Sequence, residues 1–322
     1  METMRAVRAH ERGGPEKLRY ETAPRPGPGP GEVLLAVAAA SITAGELAWP
    51  ASWTDSFDGS GRDRTPVIPS HEVSGTVAAL GEGVTERAVG DEVYALIPFT
   101  RDGAAADYVT LPADVAATRP AGIGHTASAA VPLAGLTALQ ALDGHARLRA
   151  GGHVLVHGAA GGVGSFAVQI AVAMGATVTA TASGSSADFV AALGADRVLD
   201  HRTTRFEDEV SAVDVVLDCV GGETQTRSWQ VLRPGGVLVS VVAPPDEQEA
   251  RRHGARGVFF VVEPDRHGLD RLTALIDDGR LTPRVDRIVP LSGTRAAYEA
   301  LEREHRKGKI VISVTEEDAH TG

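Results

Sequence analysis

The chain is 322 residues long and holds a single cysteine, Cys219. One thiol excludes an intramolecular disulfide, and the lack of any cysteine pair excludes a zinc ribbon or a redox Cys-x-x-Cys. Lysine is almost as scarce, at positions 17, 307 and 309 only, and the other basic residues are arginine. Together with the many alanines and glycines, that usage reads as the coding bias of a GC-rich genome and not as a functional signal. Positive charge is in the minority: 31 Lys and Arg against 42 Asp and Glu leave a net charge of −11. With no basic block, the sequence lacks the phosphate-neutralising surface of a nucleic-acid binder and the polybasic patch that docks on an anionic membrane. No run of about 18 uninterrupted apolar residues is present, so no helix is expected to span a bilayer. The first ten residues alternate charge with small side chains and lack the apolar stretch of a signal peptide, so a cytoplasmic protein is expected. What is there, 43% hydrophobic and 23% charged residues, is the composition of an ordinary globular protein. The length is about twice that of a typical domain and points to two of them.

The first third reads as strands and turns. Met4 to Arg8 is a short strand, Ala23 to Gly31 (APRPGPGPG) is a turn-rich surface loop, and Val33 to Ile42 runs apolar as a buried strand does. Val73 to Leu80 and Glu92 to Ile97 are further strands, and no helix-length periodicity precedes residue 125. An antiparallel, barrel-like β unit follows from that pattern. After Pro120 the pattern changes. Ala127 to Leu142 has helical spacing, and strands then alternate with helices. The strands are His153–His157, Thr177–Thr181, Arg197–Leu199, Val213–Leu217, Val237–Val242 and Val258–Val262, with helices such as Ser165–Met174 and Ala187–Leu193 between them. Such alternation predicts a parallel sheet covered on both faces. An amphipathic helix over Leu269–Ile276, a last helix over Arg295–His305 and a strand over Ile310–Val314 complete the reading.

The most informative stretch is HVLVHGAAGGVGSFAVQIAVAMGA, residues 153 to 176. A strand runs into Ala159, Ala160, Gly161, Gly162, Val163 and Gly164, and a helix opens at once. This is the dinucleotide-binding fingerprint with alanine in place of the first glycine. Gly161 lets backbone approach a pyrophosphate, Gly164 lets helix and strand pack closely, and the helix N-terminus offers free N–H groups to the anion. The end of the next strand selects the dinucleotide. An NAD site places an acid there, about 20 residues beyond the glycines. Residues 179 to 187 read TATASGSSA, with Ser183, Ser185 and Ser186 and no acid before Asp188. Hydroxyls can bond a 2′-phosphate that an acid would repel, so the reading is NADP(H) over NAD(H). The loop has no cation of its own, and Arg202, Arg205 or Lys309 would have to supply one.

Ordered motifs run the length of the chain: PGPGPGEVLLAVAAASI (26–42), PSHEVSGTVAALGEGV (69–84), VGDEVYAL (89–96), PLAGLTALQAL (132–142), GAAGGVGSFAVQIA (158–171), DVVLDCVGG (214–222), LRPGGVLVSV (232–241) and GKIVISV (308–314). In that order they resemble the zinc-free quinone oxidoreductase (zeta-crystallin-like) group of the medium-chain dehydrogenase/reductases. The resemblance implies an α/β protein with a GroES-like β-barrel catalytic domain over 1–122, completed by about 266–322, and a Rossmann doubly wound parallel sheet over 123–265 that binds NADPH. It implies a homodimer, for which the apolar Val258–Val262 strand would be an edge to cover. Zinc-dependent relatives carry a catalytic Cys after the first long strand and a Gly-His-Glu downstream. Here Ser70-His71-Glu72 remains but the N-terminal half has no cysteine, so no metal is expected and His71 reads as a hydrogen-bonded residue.

Without a metal, hydrogen-bond donors must polarise the substrate, which suits hydride transfer to a quinone or an α,β-unsaturated carbonyl. By resemblance Thr137 lies near the nicotinamide, Phe259, Phe260 and Val261 line the nicotinamide end, and Val220 and Ala243 follow strands whose C-terminal ends face the cofactor. Family members often carry Asn-Pro after the first long strand, with the Asn close to the substrate. Here the pair is Thr43-Ala44, and Thr43 is expected to donate from its hydroxyl instead. Trp49 and Trp53 either wall the substrate pocket with their indole N–H groups as donors or pack as surface or lid residues. Tyr94, Tyr108 and Cys219 read as structural. Three functions remain: a metal-free NADPH-dependent reductase of small quinones or enones, a tailoring or enoyl reductase for a larger polyketide-like substrate, and a non-catalytic NADPH-binding sensor.

Overall fold

A computed structural model of the chain describes residues 2–54, 61–304 and 306–315. The chain divides into two compact units, one of Met1–Leu133, Glu263–Asp277 and Pro283–Gly322, the other of Ala134–Val262 and Asp278–Thr282.

In the first unit, β1 (Thr3–Ala9) and β2 (Leu18–Pro24) form an antiparallel pair. The organising strand is β3 (Glu32–Ile42), 11 residues long. It pairs along one edge with β4 (Glu72–Leu80), which continues to β5 (Glu92–Leu96). On its other edge, residues 32–36 pair with β6 (Tyr108–Pro112), while β7 (Ala117–Thr118) pairs with β5. A strand buried on both faces reads as a continuous apolar run and not an alternation. Val33, Leu34, Leu35, Val37, Ala39, Ala40 and Ile42 are accordingly all buried. A short helix, α1 (Pro50–Trp53), follows β3, and α2 (His125–Ala129) packs Ala129 against Ala39. That packing carries the first unit past residue 122 to Leu133. The next helix, α3 (Pro132–Leu139), widens into a π turn over Gln140–His145.

The second unit winds β8 (His153–His157), α4 (Gly162–Ala173), β9 (Thr177–Ala182), α5 (Ala187–Ala192), β10 (Arg197–Asp200), β11 (Val213–Asp218), α6 (Gly222–Ser228), β12 (Leu232–Ser240), α7 (Glu247–Arg252) and β13 (Arg256–Phe259) into one sheet. Every pair is parallel, and the order is β10-β9-β8-β11-β12-β13. This is the doubly wound dinucleotide-binding order, whose ligand crevice lies beyond the carboxyl ends of the strands where the winding reverses. Residues 278–282 close on it, with Gln169 exchanging hydrogen bonds with the Thr282 backbone at 2.9 and 3.2 Å.

The chain then returns to the first unit. Helix α8 (Arg266–Asp277) buries Leu269, Leu272 and Ile276, and takes the buried Tyr94 hydroxyl on the Leu269 carbonyl at 2.7 Å. Strand β14 (Val285–Pro290) runs parallel to β15 (Lys309–Ser313), and α9 (Thr294–Arg303) between them buries Ala297, Tyr298 and Leu301 at helical spacing. β15 is fully buried and pairs antiparallel with the second half of β3, Ile310 opposite Ile42. That register sets Lys309 beside Thr43.

Candidate functional site

At the mouth of β8 the chain turns through Gly158–Gly161 and enters α4 with no side chain capping the helix. Its first N–H groups are therefore free for an anion. A Cβ on Gly164 would lie 2.3 Å from the Gly158 carbonyl oxygen and 2.7 Å from Ala159 Cα, so only glycine allows this helix–strand contact. A Cβ on Gly161 would meet only the Gly158 oxygen, at 3.3 Å, and the space beyond is open. Ala160, Gly161, Gly162 and Val163 line the half-buried mouth. This cradle fits a dinucleotide pyrophosphate. Ala159 needs a correction as a ligand contact: it is fully buried and its N–H is committed to the Thr181 carbonyl at 3.1 Å, so it packs β8 on β9.

Beneath the turn sits His157, its Nδ1 2.9 Å from the Thr181 hydroxyl and its Nε2 3.0 Å from that of Ser228. Burial pushes its pKa down to about 4. The neighbouring Asp218 is fully buried and accepts from the Val220 and Gly221 N–H groups, the Gln225 amide and the Ser240 hydroxyl, at 2.8–3.1 Å. Burial and that carboxylate push the Cys219 thiol far up, so Cys219 stays protonated and is no nucleophile.

At the end of β9, Ser183 Oγ lies 3.1 Å from Ser185 Oγ and 3.2 Å from Ser186 Oγ. Ser186 is turned inward and buried. An acid does reach this loop. Asp200, the last residue of β10, is paired with Ala182, and its Oδ2 would stand 2.6 Å from a Cβ on Gly184. Its Oδ1 accepts from the Arg202 N–H at 3.0 Å, and His201 N–H bonds the Ala182 carbonyl at 3.1 Å. Arg202 is exposed, its backbone N–H held on Asp200, and no ion pair to a carboxylate is formed by it among the described residues. Arg205 is paired with Glu207 at 2.9 Å.

Lys309, expected above as a possible phosphate partner, is corrected: it is 5% exposed and salt-bridged to Glu72 in the first unit. Further along the second unit, Val220 and Val242 stand exposed past β11 and β12, and Ala243 takes the Gln225 amide on its carbonyl at 3.0 Å. At the end of β13 and just past it, Phe259 and Val261 are 41% and 54% exposed, while the Phe260 ring tilts on His145 at 4.3 Å. Thr137, on α3, is buried.

In the first unit the register of β3 gathers two polar networks. In one, Thr43 Oγ1 accepts from Lys309 Nζ at 2.8 Å and donates to Glu72 Oε1 at 3.1 Å, while Lys309 also bonds Glu72. Glu72 Oε2 accepts the Leu133 N–H at 3.0 Å. Burial raises the Glu72 carboxyl above its ordinary range in spite of the Lys309 charge. The expectation of a free donor at Thr43 is corrected: in this arrangement its single proton points to Glu72.

In the other network, Glu46 is buried among His71 Nδ1 at 2.8 Å, the Tyr298 hydroxyl at 2.8 Å and the Ser70 N–H at 2.7 Å. Burial alone would raise its pKa, yet these bonds hold the carboxyl below the usual range. Neither Glu46 nor Tyr298 carries a sequence signal that foretells the contact; only Ser70-His71-Glu72 stood out. Trp53 is corrected as a substrate donor, since its indole N–H bonds the Leu47 carbonyl at 2.8 Å and the residue is 3% exposed. Trp49 is half-buried and meets Phe99 edge-on at 5.3 Å.

Residues 29–121 match the alcohol dehydrogenase GroES-like domain, and residues 193–312 match the zinc-binding dehydrogenase family. The chain is 31% identical over 314 residues to the probable zinc-binding oxidoreductase, mitochondrial, of Arthroderma benhamiae, covering 92% of each. It is similar to the solved quinone oxidoreductase of Coxiella burnetii, with 29% identity and a TM-score of 0.88 over 98% of this chain and 100% of that one. It is also similar to the solved CurK enoyl reductase, with 26% identity and a TM-score of 0.86 over 98% and 100%. The chain is an oxidoreductase of the medium-chain dehydrogenase/reductase superfamily. Within that superfamily it belongs to the quinone-oxidoreductase-like group.

Two of those names refer to zinc, and the donors of this chain do not fit that ion. The position of the expected cysteine is held by Thr43, engaged with a buried ammonium. His71 has both ring nitrogens facing oxygen acceptors, Glu46 at 2.8 Å and the Arg101 carbonyl at 3.2 Å. Among the described residues no group of three or more His, Cys, Asp or Glu is placed to hold a metal, and zinc sites need three protein ligands or more.

Proposed function

We propose that the protein is an NADPH-dependent, metal-free reductase of quinones or α,β-unsaturated carbonyls. The observation that carries this reading is the Lys309–Thr43–Glu72 cluster, a cation and a hydroxyl where zinc relatives place their metal ligand. When bound, the nicotinamide supplies the hydride. The chain's own residues do the rest. The α4 N-terminus and Gly161 to Val163 hold the pyrophosphate, and Ser183 with the exposed Arg202 receives the 2′-phosphate. Thr43 faces the substrate carbonyl, backed by the Lys309 charge, which stabilises negative charge as it develops there.

A second reading, an enoyl reductase for a larger polyketide-like substrate, draws on the likeness to CurK and on Thr43-Ala44 in place of Asn-Pro. We also place in this proposal a homodimer joined at β13, the exposed edge of its sheet, and a cytoplasmic location, although the Arthroderma relative is named mitochondrial.

The test is cofactor oxidation with NADPH and with NADH, using a small quinone and a simple enone, with and without a chelator. NADPH-preferring turnover that survives the chelator is expected. Tight NADPH binding with no turnover of either acceptor would shift the function to the larger substrate or to a sensor, and a preference for NADH would overturn the role of Ser183.

A further inference from the structure

We infer that Lys309 is the proton reservoir of the reaction and that Thr43 Oγ1 is the atom through which its proton leaves. The inference rests on the reductase reading above, in which Thr43 faces the substrate.

Lys309 and Glu72 are 5% and 1% exposed, whereas Thr43 is half-buried, so Thr43 is the least enclosed residue of the three. A buried ion pair is seldom a gain in stability over apolar side chains of the same volume, so stability alone does not explain it. The choice of cation is informative too. Only three of the chain's 31 basic residues are lysine, and one of those three sits here. An arginine guanidinium stays charged throughout a reaction, whereas a lysine ammonium has three rotatable N–H donors and an amine form open to it.

The groups around the pair are accounted for. Glu72 comes from β4 and Thr43 from the end of β3, and deeper lie Glu46, His71 and Tyr298. The Tyr298 hydroxyl points into that second network and is buried, so it offers no route outward.

Reduction of an activated double bond adds a hydride at the β-carbon and a proton at the α-carbon or the carbonyl oxygen. The two electrons come with the hydride from the nicotinamide. For the proton, the Thr43 hydroxyl turns from Glu72 to the substrate enolate and its O–H bond breaks. One N–H bond of Lys309 breaks in the same step and re-forms the hydroxyl, across the 2.8 Å hydrogen bond already in place. The amine left behind is neutral, stays hydrogen-bonded to the Glu72 carboxylate, and regains a proton from water before the next turnover.

The test compares Lys309→Arg, Thr43→Val and Thr43→Ser with the wild type. Turnover, KM, NADPH dissociation constant and solvent deuterium isotope effect are measured on each purified full-length enzyme. Lys309→Arg keeps the charge and cannot release a proton. Turnover is expected to fall about 100-fold, the scale of a lost general acid, with NADPH affinity unchanged and a larger solvent isotope effect. Thr43→Val should behave alike and Thr43→Ser should recover most of the loss. Wild-type turnover and isotope effect in Lys309→Arg would overturn the relay alone. An inactive wild type with every quinone and enone would overturn the reductase reading with it. If Lys309→Arg fails to fold, the half-buried and isosteric Thr43→Val decides by the same readouts.

Discussion

Tyr298, on α9, donates its hydroxyl to Glu46 Oε2 at 2.8 Å, joining the returning C-terminal segment to the turn that follows β3. Both residues are buried, and burial beside a carboxylate pushes the tyrosine far above its ordinary range, so it acts as a neutral donor. Tyr298→Phe leaves Glu46 one bond short in a site that water does not reach. A loss of about 2 kcal/mol in unfolding free energy is expected, read from urea titration at neutral pH. NADPH affinity should not change, and a variant as stable as the wild type would show that this bond carries nothing.

Gly164 and Gly161 should separate packing from binding. Gly164→Ala forces a methyl to 2.3 Å from a backbone oxygen, and about 3 kcal/mol of stability should go with it. Gly161→Ala meets one neighbour at 3.3 Å, so the melting temperature should stay near the wild type while the NADPH dissociation constant rises about tenfold or more. Equal effects of the two substitutions on melting would sink this division of labour.

His157 makes stability depend on pH with a definite sign. Its folded-state pKa of about 4 lies below the ordinary 6.5, so between these values the unfolded chain holds a proton that the native protein does not. Stability is then highest above pH 6.5 and falls by about 3 kcal/mol as the pH drops to about 4. Denaturant midpoints across that range should show the decline, and His157→Gln should flatten it.

The serine loop makes a prediction about cofactor choice. Arg202→Ala should raise the KM for NADPH about tenfold, the value of one lost charge-assisted contact, and leave that for NADH unchanged. Asp200→Asn should act the other way, because the Asp200 carboxylate beside Gly184 repels a 2′-phosphate. An unaltered NADPH/NADH ratio in both variants would remove the loop from cofactor selection.

Local pattern was readable where one element explains itself. The apolar run of β3 and the small residues between β8 and α4 announce a doubly buried strand and a phosphate turn with no outside help. Elements whose burial depends on a distant partner were not readable. β2 and β14 are exposed and charged on at least one face, and neither shows the apolar pattern of a strand. The strand expected over Val258–Val262 lies at Arg256–Phe259, because its first residues, Arg256 and Gly257, are an exposed edge with no hydrophobic signal.

Pairing misled the site as well. Asp200 reaches the loop of β9 only because β10 lies beside it. Nothing in GKIVISV tells that its strand lines up with β3, so the sequence alone offers Lys309 to a phosphate. Glu46 has no periodic or motif context, and its side-chain carboxylate is met by Ser70 and His71, just before β4, by the Thr43 N–H, and by Tyr298 on α9.

The path of the chain has a consequence for biosynthesis. Domains that leave the ribosome first ordinarily fold first. Here the earliest residues to emerge cannot finish their sheet until β15, at Lys309–Ser313, has been made. The intervening unit, by contrast, has all its strands by Phe259 and its closing segment by Thr282. The newborn protein should therefore mature from the middle outward. Until β15 has emerged, the second half of β3 keeps one edge open for chaperones to shield.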